Sequence, residues 1–301
     1  MRTFKGKTFA DVYWKILEDL VKNPEYVCAP RDQKINETLN VVLEIQNPMA
    51  SLYKNAARSS QFKYIAAELV YYFAGRNDLA YLLKYAKFWK DVANSDGTVN
   101  SAYGYLLFNK KNEFGKTQWE WAYESLIRDG DTRQALMHFN TPTHQYDGNK
   151  DFVCTLNAIF HIRDGKLDLT VMMRSNDVIL GLPTDVAFFT MLQQQMLNHL
   201  SKKYDAPYPL LELGKYTHIV NSMHLYERNF KVAEDMLANE FIEDFIPKIE
   251  TDLIDETGKM TKIMTEVHDA IERDVQLITN DETLVWIQDK LNILSKTKKN
   301  A

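Results

Sequence analysis

Arg174-Ser175-Asn176-Asp177-Val178-Ile179-Leu180-Gly181-Leu182-Pro183-Thr184-Asp185 is the stretch on which the fold turns. The run that follows it, Val186 to Leu200, has helical composition, and Thr184 or Asp185 is expected as its N-cap. Upstream, residues 152–162 are rich in β-formers, Asp164-Gly165 is a two-residue turn signal, and Leu167 to Met173 is again strand-like. That order predicts a β-hairpin running directly into the quoted stretch. Cys154, in Phe152-Val153-Cys154-Thr155-Leu156, then falls near the start of a strand.

Further out, residues 9–21 place Phe9, Val12, Tyr13, Ile16, Leu17, Leu20 and Val21 on one helical stripe. Residues 62–73 do the same with Phe62, Ile65, Leu69, Val70, Tyr72 and Phe73, so both predict helices lying against a sheet. A second strand-like run, Tyr216 to Val220, leads into His224-Leu225-Tyr226. Beyond about residue 231 aromatics thin out, charge rises, and helical patterns are punctuated by Pro247, Gly258 and Asn280-Asp281. The expected organisation is a core over 1–230 and a helical extension over 231–301 packed on it, with a partner-binding element as the alternative for the tail.

The 301 residues are 45% hydrophobic and 26% charged, enough to bury a sizeable core. A net charge of −5 argues against a protein that coats nucleic acid, which needs concentrated Lys and Arg, whereas a free mononucleotide needs only a few arginines. Cys28 and Cys154 are the only cysteines, no apolar run is long enough to span a bilayer, and Met1-Arg2-Thr3-Phe4 begins no signal peptide. A reducing cytoplasmic compartment is expected, in which a thiol stays usable. Zinc-deaminase ligand spacing and a phosphate-cradling Gly-rich loop are both missing, so no metal site and no kinase chemistry are expected.

The segment 174–185 resembles the R-S-x-D-x-x-L-G-L-P-x-N signature of the thymidylate synthase family, and Cys154 lies at that family's nucleophile spacing. Other segments agree in order. Pro30-Arg31-Asp32 resembles the early phosphate arginine, with two residues inserted after it. Ala67 to Gly75 is similar to H-E-L-L-W-F-L-x-G, Phe88-Trp89-Lys90-Asp91 to I-W-D-E, and Ala102-Tyr103-Gly104 to V-Y-G. Asp131-Thr132-Arg133-Gln134 resembles the S-R-R segment with its second Arg lost, and Met223-His224-Leu225-Tyr226 resembles T-H-L-Y. The resemblance covers about residues 8–230. It implies an α/β (α+β) fold, a thymidylate synthase-like mixed sheet with surrounding helices, in a homodimer. Asp185 stands where the uracil-reading Asn would be, which resembles the cytosine-specific branch, the deoxycytidylate and cytidylate hydroxymethylases.

The chemistry explains the residue types. C5 of a pyrimidine is a poor nucleophile until a thiolate adds at C6 and makes C5 enamine-like, and Cys154 is the candidate thiolate. An isolated strand Cys is more often a core filler; the downstream signature reverses that reading. Arg174 would favour the thiolate if close. The resemblance implies 5,10-methylenetetrahydrofolate as the one-carbon donor, water addition giving a hydroxymethyl product and folate hydride a methyl product. Glu68, in an apolar helix, is either a paired carboxylate or a proton shuttle with a raised pKa. Asp185 is either a helix cap or the base reader. A carboxylate accepts from the cytosine amino group but repels N3 unless one of the two carries a proton.

Arg31, Arg133, Arg174 and Ser175 are implied phosphate ligands, since guanidinium groups fork onto phosphate oxygens. Family likeness puts Arg133 in the neighbouring subunit's site, gives His224 and Tyr226 the sugar hydroxyl, and sets Asp177, Trp89 and Gly181 on the folate side. Several positions depart from the pattern: Thr155 for His, Met173 for a polar residue, Ser222 for Asp, and Gln134 for Arg. Asn292 to Ala301 shows no likeness to the family's folate-closing C-terminus; an absent or altered lid favours water attack and hydroxymethylation of dCMP or CMP, whereas the retained Trp89, a bulky aromatic beside the folate, favours excluding water. A methyl-forming synthase on dCMP or dUMP, and a catalytically idle nucleotide-binding homologue with a partner-binding tail, are the competing readings.

Overall fold

A computed structural model of the chain describes residues 1–203 and 211–293. Strand β1 (Arg2–Gly6) leads into helix α1 (Phe9–Lys22). A reciprocal cap starts this helix: Thr8 Oγ1 accepts from the Asp11 N–H, and the Asp11 carboxylate accepts from the Thr8 N–H. Strands β2 (Tyr26–Cys28), β3 (Ile35–Ile45) and β4 (Leu52–Lys54) follow, then helix α2 over Phe62–Phe73, the span its apolar stripe predicts. The short helices α3 (Leu79–Leu82) and α4 (Trp89–Val92) precede a π-helical turn at Tyr105–Asn109 and helix α5 (Gln118–Arg128).

The central elements are β5 (Leu136–His138), β6 (Thr155–Arg163), β7 (Lys166–Met173), the two-residue β8 (Asn176–Asp177), helix α6 (Leu182–Lys203) and β9 (Glu212–Tyr226). Asp164 and Gly165, with φ of 51° and 70°, make the predicted tight turn between β6 and β7. The mixed sheet has the order β1-β3-β9-β7-β6-β5, with β2 paired to β3 and β8 to β9. Its register aligns Leu43, His218, Val171 and Ala158 in one fully buried row. One residue along, the row Val42, Ile219 and Met172 points to the other face and is only half-buried.

Helix α6 lies against β7 and β9 and is buried around most of its circumference. Its buried polar side chains tie it to the sheet: Gln193 Nε2 donates to the carbonyls of Leu167 (2.8 Å) and Lys215 (3.1 Å). The helix starts at Leu182, earlier than its composition indicates, because Pro183 fits a first turn where no N–H partner is needed. Thr184 and Asp185 therefore do not cap it. Their N–H groups donate to the Gly181 carbonyl, each at 3.0 Å, and their side chains lie inside the first turn.

After β9 come α7 (Phe230–Leu237), β10 (Ile242–Asp244), α8 (Lys262–Glu272) and α9 (Glu282–Lys290). This part contributes a strand that helical patterning does not announce: β10 pairs antiparallel with β4. Asn55 Nδ2 donates to the Met236 carbonyl at 3.0 Å, and Gln195 of α6 donates to Asp252 at 2.9 Å while accepting from the Leu253 N–H at 2.8 Å. Lys290 of α9 sits over the Phe62 ring at the start of α2. Residues 294–301, the part of the chain end on which the expectation of an altered folate-side lid chiefly rests, lie outside the described residues. Among the described residues no helix is long and apolar enough to cross a membrane.

Candidate active site

Cys154 is the last residue before β6, and its thiol is partly exposed. The adjacent strand β7 ends at Met173, so Arg174 emerges beside it: the Arg174 N–H donates to the Cys154 carbonyl at 2.9 Å. The Arg174 guanidinium is clamped by backbone, its Nε donating to Val153 O at 3.1 Å and its Nη2 to Phe152 O, with the Phe152 ring beneath it at 4.7 Å. This brings Nη2 to 3.5 Å from Cys154 Sγ. Burial pushes the thiol pKa up, and the charges of Arg174 and Arg31 oppose that shift. Arg31 sits on an exposed turn where both it and Asp32 have positive φ, 54° and 59°. Two consecutive left-handed non-glycine residues are a strained backbone of the kind stored at sites.

Two carboxyl groups share the apolar interior next to the thiol. Glu68, on α2, accepts from the phenol of Tyr64 at 2.7 Å and from that of Tyr72 at 3.3 Å, and Trp89 Nε1 donates to the Tyr64 oxygen at 2.9 Å. Burial raises the Glu68 pKa to about 7 despite both phenols. Asp185 is only partly exposed. Burial and the nearby Glu68 charge raise its pKa well above the carboxylate range, against the lowering effect of Asn176, whose Nδ2 donates to Asp185 Oδ2 at 3.1 Å. The Tyr103 ring stacks on Tyr72 at 5.3 Å and feels the charges of Asp185, Cys154 and Glu68, which sets these groups around one space.

Of the other predicted residues, His224 and Tyr226 lie at the end of β9, ring against ring at 5.0 Å, with Arg228 over the Tyr226 ring at 3.9 Å. Asp177 pairs with His224 across β8 and β9, and its Oδ1 accepts from the Ile179 N–H at 2.8 Å. Ser175 is partly exposed between Arg174 and β8. Gly181 is required by packing, since a Cβ there would lie 2.7 Å from Asn176 Oδ1. Arg133 is not brought to this site. The neighbouring Ala135 carbonyl accepts from the Phe160 N–H, and the Asp131 carbonyl accepts from Arg163, so Arg133 is level with the far end of β6 from Cys154. Most of the nine-residue strand separates them, roughly 25 Å at about 3.3 Å per residue.

Sequence reading missed Tyr64, Tyr72, Asn176, His218 and Tyr216 as members of the site. The first two were within reach of it, because they stand one helical turn before and one after Glu68, the spacing at which side chains meet on a helix. The other three converge from β8 and β9 and carry no local signal.

The geometry defines a thiol site with an arginine at its sulfur, the Asp185 carboxyl near enough to act on the thiol, and the Glu68 carboxyl near enough to act on Asp185. The family model for thymidylate synthase matches residues 12–272, and the chain belongs to that family. It is thus a one-carbon transferase acting on a nucleotide. Deoxyuridylate hydroxymethyltransferase of Bacillus phage SP01 is 29% identical over 98% of this chain and 80% of that protein. Deoxycytidylate 5-hydroxymethyltransferases of Enterobacteria phages T6 and T4 are 33% and 31% identical, over 49% of this chain and 60% of those proteins. Thermostable thymidylate synthase A from Bacillus subtilis shares the fold, with a TM-score of 0.62 over 78% of this chain and 86% of that one, at 21% identity.

Proposed function

We propose that the protein transfers the one-carbon unit of 5,10-methylenetetrahydrofolate to C5 of a cytosine mononucleotide, dCMP or CMP, and that water completes the product as 5-hydroxymethyl-(d)CMP. The observation that carries this reading is the pair of Cys154 and Asp185, a thiol beside Arg174 and an acidic group with a raised pKa at the position that reads the base. Cys154 adds to C6, C5 attacks the folate methylene, and loss of the C5 proton expels the folate, leaving an exocyclic methylene for water to attack. A carboxyl group that keeps its proton answers the N3 problem: one oxygen donates its O–H to N3 and the other accepts from the amino group. Glu68, whose pKa lies near neutrality, is suited to take a proton from that water through the Tyr64 and Tyr72 network.

Arg31, Arg174 and Ser175 hold the phosphate, His224 and Tyr226 the sugar, and Trp89, Asp177 and Gly181 the folate side. Arg133, distant from its own Cys154, serves the phosphate of a partner subunit, and the half-buried row of Val42, Ile219 and Met172 supports a homodimer formed through that sheet face. We assign residues 1–230 as the catalytic domain and the remainder as an extension that braces it. Phage relatives support a virus-encoded enzyme working in a host cytoplasm.

The SP01 relative, aligned over nearly the whole chain, favours a second reading, hydroxymethylation of dUMP. C5-tritiated dCMP, CMP, dUMP and UMP, each with the folate, test both readings. Tritium release identifies the substrate, and product mass separates hydroxymethyl from methyl. Release should vanish in Cys154→Ser. No release from any of the four would remove the catalytic reading.

A further inference from the structure

Asp185 is one end of a buried hydrogen-bonded chain. Asn176 Nδ2 lies 3.1 Å from Asp185 Oδ2 and 3.1 Å from His218 Nε2, and His218 Nδ1 lies 2.7 Å from the Tyr216 hydroxyl. The sulfur of Met173 is the third acceptor near Nδ2, at 2.9 Å. Asn176 Oδ1 has no partner and rests against Gly181, so the direction of the amide is set on its Nδ2 side alone. An amide nitrogen only donates, hence His218 Nε2 accepts, and a neutral ring must then carry its hydrogen on Nδ1, facing Tyr216. Complete burial keeps His218 neutral, its pKa lowered to about 3.

The consequence concerns a protonated Asp185. A neutral carboxyl group matches cytosine when its O–H faces N3 and its bare oxygen faces the amino group. With the proton on the other oxygen the same group matches uracil, donating to O4 and accepting from N3–H. Asp185 by itself therefore does not select a base; the oxygen that holds the proton does. An N–H donating into Oδ2 favours that oxygen as the acceptor and leaves the proton on Oδ1.

Resting on the reading of Asp185 as the base-facing group, we propose that Asn176, locked in one amide orientation by His218 and Tyr216, fixes which oxygen of Asp185 carries the proton and so sets the preference between amino- and oxo-pyrimidines. Asn176 and His218 act through Asp185 and are positioning residues. Releasing the lock frees the proton to occupy either oxygen, and selectivity declines while the thiol chemistry continues.

The test is the ratio of kcat/KM for C5-tritiated dCMP and dUMP in Asn176→Ala, His218→Phe, His218→Gln and Asp185→Asn. Asn176→Ala and His218→Phe should each move the ratio toward one by roughly tenfold, the worth of one hydrogen bond to an ionisable partner. His218→Gln, which offers a carbonyl oxygen near the place of Nε2, should stay within about threefold of the parent. Should His218→Phe not fold, Tyr216→Phe carries the same test by removing the Nδ1 partner. An unchanged ratio in the Asn176 and His218 or Tyr216 variants, with a shifted ratio in Asp185→Asn, overturns the proposal and leaves the base-reading role standing. An unchanged ratio in Asp185→Asn overturns both.

Discussion

Glu68 shows how one buried side chain sets a pH dependence. Its carboxyl sits among apolar neighbours, and burial raises its pKa from the ordinary 4.5 to about 7, with the phenols of Tyr64 and Tyr72 pulling the other way. The pH profile of turnover should have an inflection near 7 that Glu68→Gln abolishes. Tyr64→Phe removes a donor to the carboxylate and should move the inflection to higher pH. Stability follows the same sign. The folded state holds this proton more tightly than the unfolded chain, so the contribution is complete below about pH 4.5 and is lost as pH rises through about 7, by up to ~3 kcal/mol. Denaturant titrations at pH 5 and pH 8 should show that difference, and Glu68→Gln should shrink it; an equal difference in the variant would assign it to other groups.

Among the elements, the close approach of α2 to the π-helical turn holds the aromatic wall of the site together. A Cβ on Gly104 would lie 1.7 Å from the Tyr72 carbonyl oxygen, an overlap that only backbone movement relieves. Gly104→Ala should therefore cost ~3 kcal/mol or more, or prevent folding. Gly97 has open space around it and a φ of 79°, so Gly97→Ala bears only the left-handed backbone penalty of about 1 kcal/mol. Chemical denaturation of the two variants checks the contrast. The hairpin of β6 and β7, the stripe of α2 and the thiol beside Arg174 were all legible in the sequence, because period, turn chemistry and spacing are local. The start of α6 was not: helical composition begins at Val186 with Thr184 or Asp185 as the expected cap, yet the helix starts at Leu182, because a proline in a first turn breaks nothing.

At the scale of the whole molecule, Arg133 stands at the far end of β6 from Cys154. If it acts across a two-fold interface, Arg133→Ala and Cys154→Ser should each abolish or cripple turnover alone. Unfolding and refolding them together in equal amounts should restore about a quarter of the wild-type activity, because half of the dimers are mixed and each mixed dimer has one complete site. No recovery in refolded mixtures that contain mixed dimers would confine Arg133 to its own chain. The tail belongs to this scale as well. Its strand β10 completes a pair with β4, and α9 leans on the helix that carries Glu68, so it buttresses the site without supplying any residue assigned to the chemistry here.

By itself the sequence picked out Cys154, Arg174 and Asp185 and the family resemblance that joins them, because each depends on residue type at short or fixed spacing. Only the tertiary structure decided what surrounds those groups. That burial raises the Glu68 pKa to about 7, that Arg133 lies remote from Cys154, and that Asn176 stands between Asp185 and His218 all depend on burial and on distances between strands far apart in the chain. Desolvation and hydrogen-bond direction act through space, and no local pattern encodes them.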